Sequence, residues 1–213
     1  MLLYLNGIFV GLLILSNIVA VKLFSIGTWA MLPAAVIIYI FTFPITDVIV
    51  EVYGKKEAQR TVRAGFITQV LALIFIAITV SLPAAPVFSE QTSFETILNG
   101  SFRVVLASLI SYMISQNLDV FVFGRLKDKH GSSKLWLRNN ASTMLSQLID
   151  TTIFITIAFI GTMPLAVLGG LILTQYIFKF VASIVLTPVV YLLVNLVRKQ
   201  ESIAPSNGQA IGE

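Results

Sequence analysis

Six apolar stretches of about 20 residues govern what this chain can become. They run Leu2–Phe24, Trp29–Val52, Ala64–Leu82, Phe102–Phe123, Asn139–Ile160 and Pro164–Val197. At 1.5 Å per residue, about 20 helical residues cross a ~30 Å hydrocarbon core. In that medium a spanning segment must satisfy its own backbone polar groups, and a continuous apolar run does so as a helix. Only 11% of the residues are charged and mean hydropathy is +0.92. Soluble domains carry roughly 25% charged residues. The expected fold is therefore an all-α membrane protein, six transmembrane helices in a compact bundle over residues 1–199. The sixth stretch is longer than one crossing needs and contains Pro188, which predicts tilt, a kink or a partly re-entrant path. Residues 200–213 are polar with Pro and Gly, and are expected to form a disordered cytoplasmic tail. The opening MLLYLNGIFV has no basic n-region and no small-residue cleavage site, so it reads as the first membrane helix.

The basic residues orient the bundle. Eleven of the 14 Lys and Arg fall in three regions: Lys55, Lys56, Arg60 and Arg63; Arg125, Lys127, Lys129, Lys134 and Arg138; and Arg198 with Lys199. Six crossings put all three on one side. The loop Pro83–Gly100 on the other side has Glu90 and Glu95 and no Lys or Arg. By the positive-inside rule both termini are cytoplasmic. The net charge of +4 is thus a topology signal and does not indicate nucleic acid. With no cysteine, the chain has neither a disulfide framework nor a thiolate metal site.

The informative residues are the polar ones inside the apolar stretches. In WLRNNASTMLSQLIDTT (136–152), Asn139 or Asn140, Thr143, Ser146 or Gln147, and Asp150 recur every three to four positions and share one helical face. A polar stripe on a membrane helix looks toward other helices or a watery cavity, and an ionisable residue there is a functional candidate by default. Asp150 lies twelve residues past Arg138, about 18 Å along a helix, near the bilayer midplane. It needs a partner or a proton. Lys179 is the one basic residue well inside an apolar stretch, so an Asp150–Lys179 pair is expected.

The fourth stretch ends in a second stripe of Ser108, Ser111 or Tyr112, Ser115 or Gln116, and Asp119. Its SQNLD (115–119) repeats the pattern of SQLID (146–150), and Ser, Asn and Gln also serve as glue between membrane helices. Asp47 and Glu51 are spaced i, i+4 after Pro44, near the cytoplasmic end of the second stretch. They read equally as substrate ligands or as an interfacial pair answered by Lys55 and Lys56. Asn17 has no route to the surface and is a cavity-lining candidate; Gln69 and Gln175 are weaker candidates of the same kind. Lys22 snorkels to the interface.

Metalloprotease, serine-hydrolase, P-loop and dinucleotide-binding signatures are all absent, so neither an enzyme nor a built-in ATPase is encoded, and no cofactor is called for. A belt of amides, hydroxyls and acids suits a neutral or cationic, hydrogen-bonding, planar solute better than a phosphate or carboxylate.

Four blocks carry a resemblance: SNIVAVKLF (16–24), FPITDVIVEVYGKKEAQR (43–60), ISQNLDVFVFGRLK (114–127) and LWLRNNASTMLSQLIDTTIF (135–154). Together they resemble the queuosine-precursor transporters, also called the vitamin-uptake-transporter-like family, of bacterial inner membranes. The resemblance implies import of a 7-deazaguanine base for tRNA queuosine salvage. It also implies a fold similar to the six-helix substrate-binding components of energy-coupling-factor transporters. In that setting Asp150 and Gln147 are the expected direct ligands, supported by Asn140, Gln116, Asp119 and Asn17; Asp47 and Glu51 would bind substrate or form a cytoplasmic-side gate with Arg60 or Lys55, and Tyr176 or Phe178 would stack on the base. The first stretch has only Ala20 where docking components carry small residues at AxxxA spacing. That favours stand-alone transport over a capture module served by a separate ATPase. A homo-oligomer is compatible with either.

Overall fold

The computed structural model describes the backbone of residues 1–27, 30–130 and 135–203. Within these, the side chains of residues 55, 116–117, 119–120, 123–124, 126–130, 135–143 and 201–203 are not described. The order is α1 (Leu2–Val19), β1 (Leu23–Ile26), β2 (Ala30–Pro33), α2 (Ala35–Tyr39), α3 (Thr42–Tyr53), α4 (Lys55–Ser81), α5 (Gln91–His130), α6 (Leu135–Phe159) and α7 (Leu165–Ile203). Five spans are long and apolar enough to cross a membrane: Leu2–Val19, Ala35–Tyr53, Lys56–Ser81, Gln91–Ser115 and Leu165–Gln200. The shorter apolar run Met144–Phe159 in α6 makes the sixth. The protein is an all-α, multi-pass membrane bundle. Phe75, Leu173 and Leu192 stay about 60% exposed on its outside because lipid, not water, is their solvent.

The second apolar stretch is not one helix, and the first ends early. α1 stops at Val19, and an antiparallel hairpin pairs Leu23 with Pro33 and Ile26 with Ala30. The Ala34 N–H extends the ladder to the Lys22 carbonyl at 2.7 Å. Ala30, Leu32 and Pro33 of β2 are buried while Ser25 and Ile26 of β1 are exposed, so β2 is the strand that packs against the bundle. The helix then breaks between α2 and α3. Pro44 has no N–H for the Ile40 carbonyl, and the break falls there. The Thr42 hydroxyl donates to the Tyr39 carbonyl at 2.6 Å, and Thr46 donates to that of Phe43 at 2.8 Å. Gly54, at φ 87°, turns α3 into α4. α7 is continuous through Pro188, so the re-entrant path is not taken, and it runs on to Ile203. Residues 204–213 lie outside the described residues.

Tertiary contacts define two ends. At the basic end, Thr61 on α4 donates to Asn6 of α1 at 2.6 Å, and Arg198 on α7 pairs with Glu51 of α3. At the hairpin end, Ser101 on α5 donates to the Ile18 carbonyl of α1 at 3.2 Å. There Arg103 also donates to the carbonyls of Ile157 and Ile160, placing a cation on the C-terminus of α6. An apolar cluster of Ala20, Val104, Ala107, Ile155, Ala158, Phe159, Leu168 and Leu171 fills the hairpin end. Phe9, Ile45, Ile49 and Ala58, with Val48, Val194 and Val197 beside them, fill the basic end. The polar residues lie between these plugs.

Candidate functional site

A cavity of about 280 Å³ occupies that middle level. α1 contributes Ser16 and Asn17, α4 Gln69, α5 Ser111 and Ser115, α6 Gln147 and Asp150, and α7 Gln175 and Lys179. Aromatic rings complete the wall: Phe9, Tyr39, Phe43, Phe66, Tyr112 and Phe154. Each helix is apolar on its lipid side, so its few polar side chains turn inward and converge.

Charge is balanced locally. Lys179 Nζ donates to Asp150 Oδ2 at 3.2 Å and to Thr151 Oγ1 at 3.2 Å. It lies 5.5 Å from the centroid of the Tyr39 ring, within reach of a cation–π contact. Lys179 is 7% exposed. A buried ammonium is tolerated only with such partners. Ser115 donates to the other carboxylate oxygen, Oδ1, at 3.5 Å. That bond is long, and a carboxylate has about four acceptor sites, so Asp150 keeps acceptor capacity.

The amides are not balanced. Asn17 Nδ2, Gln69 Oε1 and Gln175 Oε1 are buried and find no hydrogen-bond partner in the protein. Native interiors rarely strand buried polar atoms, and three around one cavity point to groups kept for a ligand. One is a donor and two are acceptors. Tyr39 meets Phe43 edge-on, with centroids 5.3 Å apart and planes at 86°.

The family described as "Putative vitamin uptake transporter" matches residues 33–193. This chain belongs to that family. A "Probable queuosine precursor transporter" of Bacillus subtilis (strain 168) is 39% identical over 168 residues, 78% of this chain and 72% of that protein. The "Queuosine precursor transporter" of Escherichia coli (strain K12) is 31% identical over 165 residues, 75% of this chain and 72% of that one. A Haemophilus influenzae protein named as the Bacillus one is 27% identical over 186 residues, 82% of this chain and 71% of that protein. All three are named as transporters, not enzymes. No solved structure matches the chain. The span matched to the vitamin uptake transporter family takes in every cavity-lining side chain from Ala35 to Lys179, leaving outside only those of α1.

Of the residues singled out in the sequence, Asn17, Gln69, Ser108, Ser111, Tyr112, Ser115, Gln147, Asp150, Gln175 and Lys179 line the cavity. Tyr176 does not; its hydroxyl donates to the Met144 carbonyl at 3.5 Å, and Phe178 is absent from the wall as well. Asp47 and Glu51 are exposed and also lie off the wall, where α3 instead presents Thr42, Phe43 and Thr46. Arg60 is not the partner of Glu51; Arg198 is, and Arg60 pairs with Glu57. The side chains of Gln116, Asp119 and Asn140 lie outside the described residues. Tyr39 was not among the expected residues. Its signal was the Tyr39–Phe43 spacing just ahead of Pro44, at the helix break.

Proposed function

We propose that this protein imports a 7-deazaguanine queuosine precursor across the bacterial inner membrane, with the basic end and both termini cytoplasmic. The observation that carries this reading is the central cavity, where one carboxylate and three unpartnered amide atoms converge between aromatic rings. Its ~280 Å³ lies just below the roughly 300–1,000 Å³ typical of small-molecule sites, which favours a free base over a nucleotide. A guanine-like edge presents adjacent N–H donors, which a carboxylate accepts, beside carbonyl and ring acceptors, which amides serve. Asp150 takes the donor edge. Asn17, Gln69, Gln147 and Gln175 serve the remaining polar positions, and the aromatic wall covers the flat faces. Lys179 holds the Asp150 carboxylate in place between substrates. Relatives named as queuosine precursor transporters support the substrate class.

The test is uptake of labelled 7-deazaguanine base by the purified protein alone in liposomes. Uptake is expected, and Asp150→Asn or Gln147→Leu should abolish it while leaving membrane insertion intact. Tight binding without uptake would instead make the protein a capture module that needs a separate ATPase. Wild-type uptake in both variants would remove α6 from the site.

A further inference from the structure

A second cavity, of about 210 Å³, lies on the hairpin side of the first, between α1, α4 and α5. Its walls are mostly apolar, formed by residues such as Ile14, Ile18, Ala72, Ile76 and Val105. Asn17 and Gln69 border both cavities. We propose that this outer cavity is the chamber through which the substrate reaches the central site from the extracytoplasmic side, with Asn17 and Gln69 as the polar threshold between the two. This rests on the import reading and orientation given above.

Three observations converge on it. First, the direct route along the bundle axis is closed, because Ala20, Val104, Ile155 and Leu171 are packed to 2% exposure or less at the hairpin end. The second cavity passes beside that plug. Second, α1 and α4 are clamped below the threshold and not above it. Below, Thr61 bonds Asn6, and Gly65 lets α4 approach so closely that a Cβ there would meet Phe9 Cε1 at 3.0 Å. Above, the hydroxyls of Thr79 and Ser81 bond carbonyls of their own helix, those of Phe75 and Ile78. Among the described residues no polar contact ties this half of α4 to α1 or α5. The opposite wall is fixed, since Ser101 ties α5 to the end of α1. The outer half of α4 is therefore the least tethered wall of the outer cavity.

Third, the threshold itself is unsatisfied. Asn17 Nδ2 is a donor and Gln69 Oε1 an acceptor; the residues are 6% and 5% exposed, and neither atom has a partner. A lipid chain in the outer cavity would satisfy neither atom. A heterocycle with a lactam-type edge satisfies both, and when it has passed the two amides are complementary to each other. The apolar walls suit the flat faces of such a ring, so it crosses the outer cavity without being held there.

The chain has no cysteine, so one introduced thiol is the sole target for a thiol reagent. Ala72→Cys is made in right-side-out proteoliposomes and exposed to a membrane-impermeant cationic thiosulfonate. Labelling from outside is expected. It should cut the initial uptake rate at least tenfold, and excess 7-deazaguanine should slow it. Before labelling, the variant should bind the base in detergent within twofold of wild type. Ile76→Cys, one helical turn nearer the hairpin end, carries the same test should Ala72→Cys fail to insert. A thiol unreactive from outside would mean that the cavity faces lipid and would overturn the proposal, as would complete labelling with uptake unchanged. Failure of the wild type to bind any deazaguanine in detergent would strike the substrate reading instead, and is read separately from labelling.

Discussion

Lys179 Nζ stands 3.2 Å from Asp150 Oδ2, and theirs is the only ion pair among the described residues that line the central cavity. The pair joins α6 to α7 at the level of the central cavity. Removing one partner of a buried pair strands a charge and typically costs about 3–5 kcal/mol, whereas removing both can be nearly neutral. Lys179→Met and Asp150→Asn should each lower the thermal unfolding temperature in detergent. The double variant should be more stable than the sum of the two losses predicts. Uptake should be lost in all three, since a freed Asp150 is no longer poised and an absent one cannot accept. Full uptake by Lys179→Met would discard the functional role of the pair.

The stranded amides predict the opposite separation of stability from binding. Gln175 Oε1 and Asn17 Nδ2 bond nothing in the protein, so Gln175→Leu and Asn17→Leu forfeit no internal hydrogen bond there. Each removes an orphan and should leave the unfolding temperature unchanged or slightly raised. Each should also weaken binding of the base by about tenfold, the equivalent of one hydrogen bond of roughly 1.4 kcal/mol. Calorimetric titration and a melting curve on the same preparation check both halves. A marked fall in melting temperature with affinity intact would make these amides packing residues.

The central site was legible in the sequence where polar residues interrupt membrane helices, because lipid leaves them only one direction to face. Asp150, Gln147, Gln175, Lys179 and Asn17 follow from that rule. Which way each helix is rotated was not legible. Successive helical residues point about 100° apart, so Gln175 and Lys179 share the cavity face while Tyr176 between them turns away. The same rotation puts Thr42 and Thr46 on the wall and Asp47 off it. The hairpin was hidden because a short apolar run such as Leu23–Ile26 reads alike as strand or helix. The break before Thr42 was signalled only by Pro44, and a proline alone does not decide between a bend and a full interruption. Tyr39 therefore stayed out of view, since its place on the wall depends on that break.

Asp47 and Glu51 supply a direct contrast with Asp150. All three are acids in or beside apolar stretches, yet only Asp150 lines the cavity. Asp47→Asn should keep uptake within about twofold of wild type. Glu51→Gln breaks the pair with Arg198, in which both side chains are more than half exposed. Exposed pairs contribute about 0–1 kcal/mol, so the melting point should barely change. Initial uptake rates of the two variants beside Asp150→Asn test this ordering. A loss at Asp47 as deep as that at Asp150 would show that α3 turns its acidic face to the substrate.

Gly100 and Val21 fix how closely α5 approaches the end of α1. A Cβ on Gly100 would come within 2.9 Å of Val21 Cγ1 and 3.0 Å of Cγ2. Both are branches of one stiff β-branched side chain, so rotation that relieves one contact tightens another. Overpacking of this kind costs roughly 1–3 kcal/mol. Gly100→Ala should therefore lower the melting temperature. Adding Val21→Ala removes both methyl carbons in the clash and should restore most of the loss, although Val21→Ala alone is expected to be mildly destabilising. The site lies outside the residues that line either cavity, so affinity for the base in detergent should be the same in all three variants. Melting curves across the four proteins give the coupling between the positions. Additive losses would mean that α5 shifts away from α1 as a whole, and that the closeness at Gly100 is not what sets their spacing.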